Sequence, residues 1–272
     1  MKYFPTIWET WSSTMDPKKS RELLRGCVIL NARQRAWWEG RKEIQHSLRQ
    51  REIMRLKLIG IVAIGLLSLV ISRGNEMITV GDFAQGQNAR GVPTGWQLKE
   101  KSGAATLALV QDEGRHALQL RSTNTSFALQ RSLKTDLSEY PILTWDWKVT
   151  KLPEGGDFRH AKTDDQAAQL FVAFNHTQSI VYLWDTSAPE GFMGDALAPP
   201  FMSIKVIVVR SHPGRTGQWL TETRNVLEDY KKLFGSCSKP PVVSGMRIQI
   251  NTQHTKTSAE SYFADVKFKK SI

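Results

Sequence analysis

The sequence predicts an all-β fold: a jelly-roll-like antiparallel β-sandwich of two sheets with one short helix, preceded by a hydrophobic N-terminal signal or anchor helix. Three observations predict it. About eleven short segments within residues 78–270 alternate apolar and polar residues and are rich in β-branched and aromatic side chains, as is typical of strands. One stretch, 218–235, has helical periodicity instead. A run of uncharged and mostly apolar residues, 58–72, precedes both.

The segment 141–149 shows the strand pattern most clearly. Its apolar residues occupy every second position, so a strand would bury one face and present the polar face outward. The apolar positions are Leu143, Trp145, Trp147 and Val149, and the polar positions are Thr144, Asp146 and Lys148. We therefore predict a half-buried strand. Further strands are predicted at 78–80, 106–110, 117–121, 127–129, 168–174, 179–184, 201–209, 243–250 and 262–268, with a turn at 112–114.

The stretch 218–235 predicts the end of a strand that runs into a helix. Apolar residues recur from Val226 at i+4 and at i+7 and i+8, so they can dock one stripe on a core. Asn225 is the predicted N-cap, and Gly235 is predicted to end the helix.

The charge distribution and hydropathy divide the chain into three parts: a basic segment 1–55, a hydrophobic segment 56–72 and a β-sandwich domain 78–270. Much of the formal net charge of +11 comes from residues 1–55, which carry twelve Lys and Arg against six Asp and Glu. The domain is nearly balanced and has no basic face interleaved with aromatics, so no nucleic-acid partner is predicted. The basic segment is either a real cytoplasmic element or an over-extended gene start.

Residues 57–72 predict export or membrane tethering. A membrane-spanning helix needs about 20 apolar residues, so this run is short for a span but has the length of a signal-peptide core. Translation from Met54 and cleavage near Arg73 would release the domain, whereas an uncleaved chain would be anchored with its N-terminus in the cytoplasm. Either alternative places the domain outside the cytoplasmic membrane, in the periplasm or beyond. The intact mass of the natively expressed protein distinguishes the two.

Several motifs together resemble a bacterial family. They are Gly95–Trp96, WDWKV at 145–149, VYLW at 181–184, the stretch 218–235 and SYFADVKF at 261–268. Over about residues 80–270 the chain resembles the domain-of-unknown-function family 3047 (DUF3047). The resemblance implies a compact β-sandwich similar to galactose-binding-like jelly rolls, in exported proteins with no established activity. The segment 251–255 departs from the expected pattern by carrying amides and a His in place of acids, which argues against a metal site there.

A polar cluster in the loop before one predicted strand is the first candidate site. It contains Asp157, Arg159, Asp164 and Asp165. The adjacent Asp164 and Asp165 would point to opposite faces of an extended chain, so at most one of them can join a given site. The cluster either binds a ligand, through one Asp with Arg159 or Arg224 or with a hard cation such as calcium, or forms an internal salt bridge that holds the loop.

A hydrolase alternative would use paired carboxylates. Glycoside hydrolysis needs two of them facing one cleft, about 5–10 Å apart, and Glu222 with Asp157 or Asp165 are the candidates. A buried Glu222 or Arg224 would require a charged partner. The sequence contains no H-E-x-x-H spacing, Gly-rich phosphate loop or G-x-S-x-G elbow, so zinc, nucleotide and α/β-hydrolase chemistry are not predicted.

The tryptophans of the domain divide into two groups. Trp145, Trp147 and Trp184 lie on predicted strands and are predicted to be core. Trp96 and Trp219 lie beside loops and are predicted to stack on a sugar ring.

Calcium is the one cofactor that the sequence suggests. Asp82 and Asp265 lie near the first and last strands, so a jelly roll could bring them together around a structural calcium ion. An acid that ends a surface turn is the alternative for each.

The expected function is non-catalytic binding of a saccharide in the cell envelope. The alternatives are the paired-carboxylate hydrolase and a structural or partner-binding envelope protein. Exposed carboxylates that converge in a cleft would favour the enzyme, and a buried Asp–Arg network without a cleft would favour the structural role. The expected ligand-binding residues are Trp96, Asp157, Arg159, Asp164, Asp165, Trp219, Glu222 and Arg224.

Overall fold

The structure, a computed structural model, describes residues 39, 49–51, 54, 76–236 and 238–271. The chain divides into two compact units, Met1–Gly74 and Asn75–Ile272, and the sandwich occupies the second. The hydrophobic segment 56–72 lies outside the described residues, as does most of the basic segment, so both assignments stay predictions. Among the described residues, no helix is long and apolar enough to cross a membrane.

Within residues 76–271 the described chain forms thirteen strands that build two sheets. They are β1 (Met77–Gly81), β2 (Gln97–Ser102), β3 (Thr106–Asp112), β4 (Arg115–Thr123), β5 (Ser126–Asp136), β6 (Ile142–Lys151), β7 (Ala168–Ala173), β8 (Gln178–Asp185), β9 (Met193–Asp195), β10 (Ser203–Ser211), β11 (Leu220–Asn225), β12 (Val242–Asn251) and β13 (Ser258–Lys269). The six-stranded sheet has the order β11-β6-β13-β4-β3, with β1 also paired to β13. The seven-stranded sheet has the order β2-β5-β12-β7-β8-β10-β9. The predicted two-sheet β-sandwich is confirmed.

One strand pair corrects the prediction of a purely antiparallel sandwich. Strands β8 and β10 run parallel, with Val181 opposite Val206. Parallel neighbours need a connection of about a dozen residues or more, and residues 186–202 provide it. This connection contains β9, which pairs antiparallel with the far side of β10. Part of the long connection therefore forms the edge strand of the seven-stranded sheet.

Strand β2 was not predicted. Its sequence, QLKEKS, is mostly polar and mostly exposed, so it lacks the apolar alternation by which strands are recognised. It lies at the edge of the seven-stranded sheet, where charged residues such as Lys protect the unpaired backbone from association with other strands. The edge position explains why a stable strand here carries no hydrophobic signal.

The predicted helix is confirmed as α1 (Val226–Phe234). The Asn225 side chain accepts a hydrogen bond from the Glu228 backbone N–H at 3.2 Å, which makes it the N-cap. Gly235 ends the helix with a φ of 91°, a backbone conformation that favours glycine. The helix follows β11 directly, as expected from the sequence.

Aromatic side chains fill the space between the sheets. Trp145, Trp147 and Trp184 are fully buried, as predicted. The ring centroids of Trp145 and Tyr182 are 5.3 Å apart, and those of Trp147 and Trp184 are 5.8 Å apart. Such contacts add to the large apolar area that each ring removes from water. Strand β6 of one sheet is thereby packed on β8 of the other.

The outward face of β6 is covered as well, which corrects the prediction of a half-buried strand. Asp146 and Lys148 are only 8% and 6% exposed. Lys148 forms an ion pair with Asp112, and its ammonium nitrogen lies 5.4 Å from the ring centroid of Trp219. The strand lies between β11 and β13, so side chains from neighbouring strands and loops close over it. Pairing among these charged groups offsets the cost of burying them.

Glu260 belongs to this polar layer on the outer side of the six-stranded sheet. Burial acts to raise its pKa, but hydrogen bonds from Arg121, Thr150 and Gln119 outweigh burial and lower the pKa from 4.5 to about 2. An acid whose pKa is depressed by folding stabilises the protein above its unfolded pKa. That stabilisation is lost as the pH falls through the folded pKa.

We therefore expect Glu260→Gln to flatten the pH dependence of stability between pH 4.5 and about 2. Above that window the variant should be less stable than the wild type, and the difference should shrink towards the acid end. Urea unfolding across pH 2–6 measures this. Glu154→Gln, at an exposed position, is the matched control. Parallel profiles for the wild type and Glu260→Gln would contradict the expectation.

Candidate functional site

The outer face of the seven-stranded sheet divides into a polar and an apolar half. Strand register places Gln130, Arg247 and Phe171 side by side on β5, β12 and β7. The same row continues through Val181 on β8 and Val206 on β10. Residues opposite one another in a sheet share a face. The polar half is therefore built by β5 and β12, and the apolar half by β8 and β10.

A second row on the same face repeats the division. Gln249 on β12 lies opposite Gln169 on β7, and Gln169 lies opposite Leu183 on β8. The valines and leucine of the apolar half pack with Phe158 and Ala188 in a hydrophobic cluster separate from the main core. The loops that contain Phe158 and Ala188 thus cover part of the apolar half.

A cleft of about 230 Å³ opens where the two halves meet. The loop residues 196–199 form part of its wall, and Phe171 and Ile204 contribute apolar surface. The polar residues that line the cleft include Asp164, Gln169, Arg247, Gln249, Asn251 and His254.

Arg247 lies in the cleft without an acidic partner. Its Nη2 is 3.3 Å from Gln130 Oε1, and its guanidinium carbon lies 5.6 Å from the ring centroid of Phe171. No carboxylate among the described residues forms a salt bridge with it. Burial lowers the pKa of this guanidinium, although arginine keeps its charge in proteins. A partly desolvated positive charge is therefore held at the polar side of the cleft.

The amide side chains beside Arg247 hold one another in place. Gln169 Nε2 donates to Asn251 Oδ1 at 2.5 Å, and Gln249 Nε2 lies 3.4 Å from Gln169 Oε1. Asn251 Nδ2 in turn donates to the backbone oxygen of Asp164 at 2.6 Å. Each amide has donors and an acceptor, and the chain of bonds orients these groups before any ligand enters.

Asp164 and Asp165 have different surroundings. Asp164 lines the cleft, where burial raises its pKa although Gln166 Nε2 donates a hydrogen bond to it at 3.2 Å. Asp165 is fully buried and accepts hydrogen bonds from the Thr255 backbone N–H at 2.6 Å and from Asn251 Nδ2 at 3.0 Å. Asp165 therefore holds the loop that contains Thr255 against the sheet.

Asp157 and Arg159 form a salt bridge with each other. Arg159 Nη2 and Nε donate to the Asp157 carboxylate at 2.6 and 2.8 Å. Neither residue lines the cleft. The neighbouring Phe158 does line it, and its backbone N–H donates to Asp185 at 3.1 Å. The pair has the geometry of the internal salt bridge, and it holds the loop that places Phe158 on the apolar half.

Glu222 and Arg224 lie on β11, and the predicted need for charged partners is met. Glu222 accepts hydrogen bonds from Arg210 Nε at 2.7 Å and from Trp147 Nε1 at 3.0 Å. Arg224 forms a salt bridge with Asp229 of α1. Since Arg210 belongs to the opposite sheet, the Glu222 pair links the two sheets. The acids named for the hydrolase alternative, Asp157, Asp165 and Glu222, thus lie in three separate hydrogen-bond networks.

Trp219 and Trp96 lie away from this cleft. Trp219 belongs to the polar layer on the six-stranded sheet, where its Nε1 donates to Asp112 at 2.6 Å. Trp96 is 7% exposed, and its ring centroid lies 6.0 Å from that of Phe83. It lines another pocket, of about 290 Å³, together with Asp82 and Arg131. Sugar stacking on either ring stays a prediction.

Asp82 and Asp265, the candidates for a calcium site, lie next to paired residues of β1 and β13, and calcium binding there stays a prediction. Gly81, which precedes Asp82, is paired with Val266. Asp265 Oδ1 lies 3.4 Å from Lys267 Nζ. Among the described residues, no group of three His, Cys, Asp or Glu side chains could hold a metal ion. A calcium ion here would need backbone and water oxygens as its remaining ligands.

The sequence patterns did not identify Arg247, Gln169, Gln249 or Phe171 as candidate site residues. A signal was present, because Arg247, Gln249 and Asn251 alternate with buried Ile248 and Ile250 on β12. Polar residues at every second position are typical of a strand face in contact with water. The pattern could locate an outward face, but it could not show that β7 and a covering loop turn that face into a cleft.

Solved structures that match the chain include a carbohydrate-binding module, a xyloglucanase domain and an endoglucanase. The family 11 carbohydrate-binding module of the cellulosomal cellulase Lic26A-Cel5E of Clostridium thermocellum is 12% identical and has a TM-score of 0.39, covering 73% of this chain and 96% of that one. The xyloglucanase domain of NopAA, a type three effector from Sinorhizobium fredii, in complex with cellobiose, is 10% identical with a TM-score of 0.40, covering 65% and 94%. Endoglucanase 3 of Trichoderma harzianum, from family GH12, is 9% identical with a TM-score of 0.38, covering 72% and 98%.

No curated protein sequence matches the chain significantly. A match to a protein family, in contrast, covers most of the sandwich. Residues 94–267 match DUF3047, described as a protein of unknown function, and this confirms the resemblance that the motifs indicated. The chain belongs to the DUF3047 family.

Proposed function

We propose that the sandwich domain binds a saccharide, without catalysis, in the cleft on the outer face of its seven-stranded sheet. The observation that carries this proposal is the row of oriented amides and one guanidinium, Gln169, Gln249 and Arg247, beside an apolar strip. A sugar ring presents hydroxyls that need both donors and acceptors, together with C–H faces that pack on apolar surface. The cleft offers both kinds of surface: the valines and leucine of β8 and β10 are buried, and the accessible apolar surface comes from Phe171, Ile204 and Leu197.

The carboxylates support binding in preference to hydrolysis. Asp164 is the only Asp or Glu among the described residues that line the cleft. Most glycoside hydrolases use a pair of carboxylates on either side of the scissile bond. The acids of the hydrolase alternative are instead occupied by Arg159, Arg210 and the Thr255 backbone. We further propose that binding takes place outside the cytoplasmic membrane, because of the mostly apolar run 58–72.

The double variant Gln169→Ala, Gln249→Ala is expected to bind its saccharide about 10–100-fold more weakly than the wild type. Each hydrogen bond lost to the ligand contributes on the order of 1 kcal/mol, so losing one or two of them accounts for this range. Isothermal titration of the full chain with a panel of neutral and acidic oligosaccharides measures the effect.

Gln111→Ala is the matched control, because Gln111 is exposed on β3 of the other sheet. It should bind like the wild type, and the thermal midpoint of each variant shows that the fold is retained. Two results would contradict the proposal: the panel contains no ligand for the wild type, or the double variant binds with unchanged affinity.

A further inference from the structure

The hydrogen-bond donors of Arg247 indicate the chemistry of the ligand, an inference that rests on the proposed saccharide-binding function. A guanidinium has five N–H donors in a planar fork, and the structure shows one hydrogen bond from Arg247, to Gln130, among the described residues. The other donors have no protein acceptor there, although the side chain is only partly exposed. None of these donors is a buried atom without a partner, so they face solvent in the cleft and are accessible to a ligand.

The position of Arg247 directs these donors towards a ligand. The guanidinium lies over the Phe171 ring, on the side of the cleft opposite the valines of β8 and β10. This cation–π contact helps to hold the guanidinium at the polar side of the cleft. The planar guanidinium of arginine can bind carboxylates and similar oxyanions through two parallel hydrogen bonds.

The other charged groups of the cleft leave a positive balance. Lys101 and Arg247 line it against one carboxylate, Asp164, and His254 adds a positive charge when protonated. Burial raises the pKa of Asp164, which disfavours its negative form. Elsewhere on the domain several arginines form salt bridges with acids, as Arg210 does with Glu222. Here the matching acid is missing from the described protein and can be supplied by a ligand.

We propose that the cleft recognises acidic saccharides, and that Arg247 binds the carboxylate or sulfate group of a sugar unit through its unpaired N–H donors. The amides Gln169 and Gln249 would then contact hydroxyls of the same sugar or of its neighbour. Asp164 limits the affinity for such a ligand when it is ionised.

The test compares acidic oligosaccharides with their neutral forms. Oligogalacturonate is paired with its methyl ester, and an oligosaccharide of sulfated galactan is paired with its desulfated form, each titrated into the full chain. At least one acidic member should bind about tenfold or more tightly than its neutral partner. An advantage confined to galacturonate assigns a carboxylate, and one confined to the sulfated galactan assigns a sulfate.

The variants locate the recognition at Arg247. Arg247→Gln should weaken binding of the acidic member by about 10–100-fold and leave the neutral member nearly unchanged, since charge-assisted hydrogen bonds are the strong ones. Arg247→Lys should be intermediate, because it keeps the charge but loses the fork. Arg215→Gln, which removes an exposed charge from the 3-10 helix 213–215, is the matched control.

Asp164→Asn gives a test that loss of folding cannot imitate. Removing the one carboxylate of the cleft should tighten binding of the acidic member by about threefold to tenfold at neutral pH. Equal binding of acidic and neutral forms, or equal weakening of both by Arg247→Gln, would overturn the charge recognition and leave saccharide binding standing. If neither form binds, the proposed function fails together with the inference.

Discussion

Asp229→Asn is expected to lower the free energy of unfolding by about 3 kcal/mol, the lower end of the range for breaking a buried ion pair. Asp229 is only 5% exposed, and it accepts hydrogen bonds from Arg224 Nε at 2.9 Å and from the Tyr182 hydroxyl at 2.8 Å. The asparagine has nearly the same size, so the change removes charge rather than volume. Arg224 would then keep its charge without a counter-charge at a partly buried site.

The position of this triad explains why one carboxylate matters so much. Asp229 belongs to α1, Arg224 to β11 of the six-stranded sheet and Tyr182 to β8 of the seven-stranded sheet. The three side chains therefore join the helix to both layers of the sandwich. Burial and the nearby carboxylate also raise the pKa of Tyr182 well above its ordinary value, so the hydroxyl keeps the proton that it donates.

Urea unfolding at neutral pH measures the loss. Glu228→Gln is the matched control, because Glu228 is the exposed neighbour of Asp229 in the first turn of α1. Its substitution removes the same charge near the helix N-terminus. The control should change stability by less than about 1 kcal/mol. Similar small effects for the two variants would show that the triad contributes little to stability.

Trp147→Phe is expected to destabilise the domain by about 3 kcal/mol, roughly twice the loss expected for Trp145→Phe. Both rings are fully buried on β6, and both substitutions remove the same atoms. They differ in the indole N–H, because Trp147 Nε1 donates to Glu222 at 3.0 Å whereas Trp145 Nε1 has no partner among the described residues. Losing a hydrogen bond to a buried carboxylate is costly, but removing an unpaired donor is not.

The comparison is internally controlled, because the cavity left behind is of similar size in the two variants. Thermal and urea unfolding of both variants, each against the wild type, measure the difference between them. Equal losses would mean that the Glu222 bond adds nothing beyond the packing of the ring. A larger loss for Trp145→Phe would contradict the account of this part of the core.

Much of the fold followed from local patterns. Alternation in 141–149 correctly placed Trp145 and Trp147 in the core, and the helix began and ended where Asn225 and Gly235 indicated. These predictions succeeded because strand periodicity, capping and glycine conformations are properties of short segments. The polar face of the same strand was misjudged because its covering residues, including Asp112 and Trp219, come from other parts of the chain.

The candidate site shows the limit of local patterns more clearly. Asp164 was selected as a neighbour of other acids, but its place in the cleft comes from the sheet and loops around it. Arg247 is one of many arginines in the sequence, and only the folded domain shows that it lines the cleft and has no salt bridge with an acid among the described residues. Arg159, Arg210 and Arg224, in contrast, are each paired with a carboxylate.

The sequence by itself determined the class of the fold, the strands that carry apolar alternation, the helix with its caps, and membership of the DUF3047 family. Only the tertiary structure decided which strands are neighbours, that β8 and β10 are parallel, and that Gln169, Arg247 and Gln249 share one cleft. The physical reason is that periodicity assigns a residue to a face of its own strand, whereas a binding site depends on contacts between strands far apart in the chain.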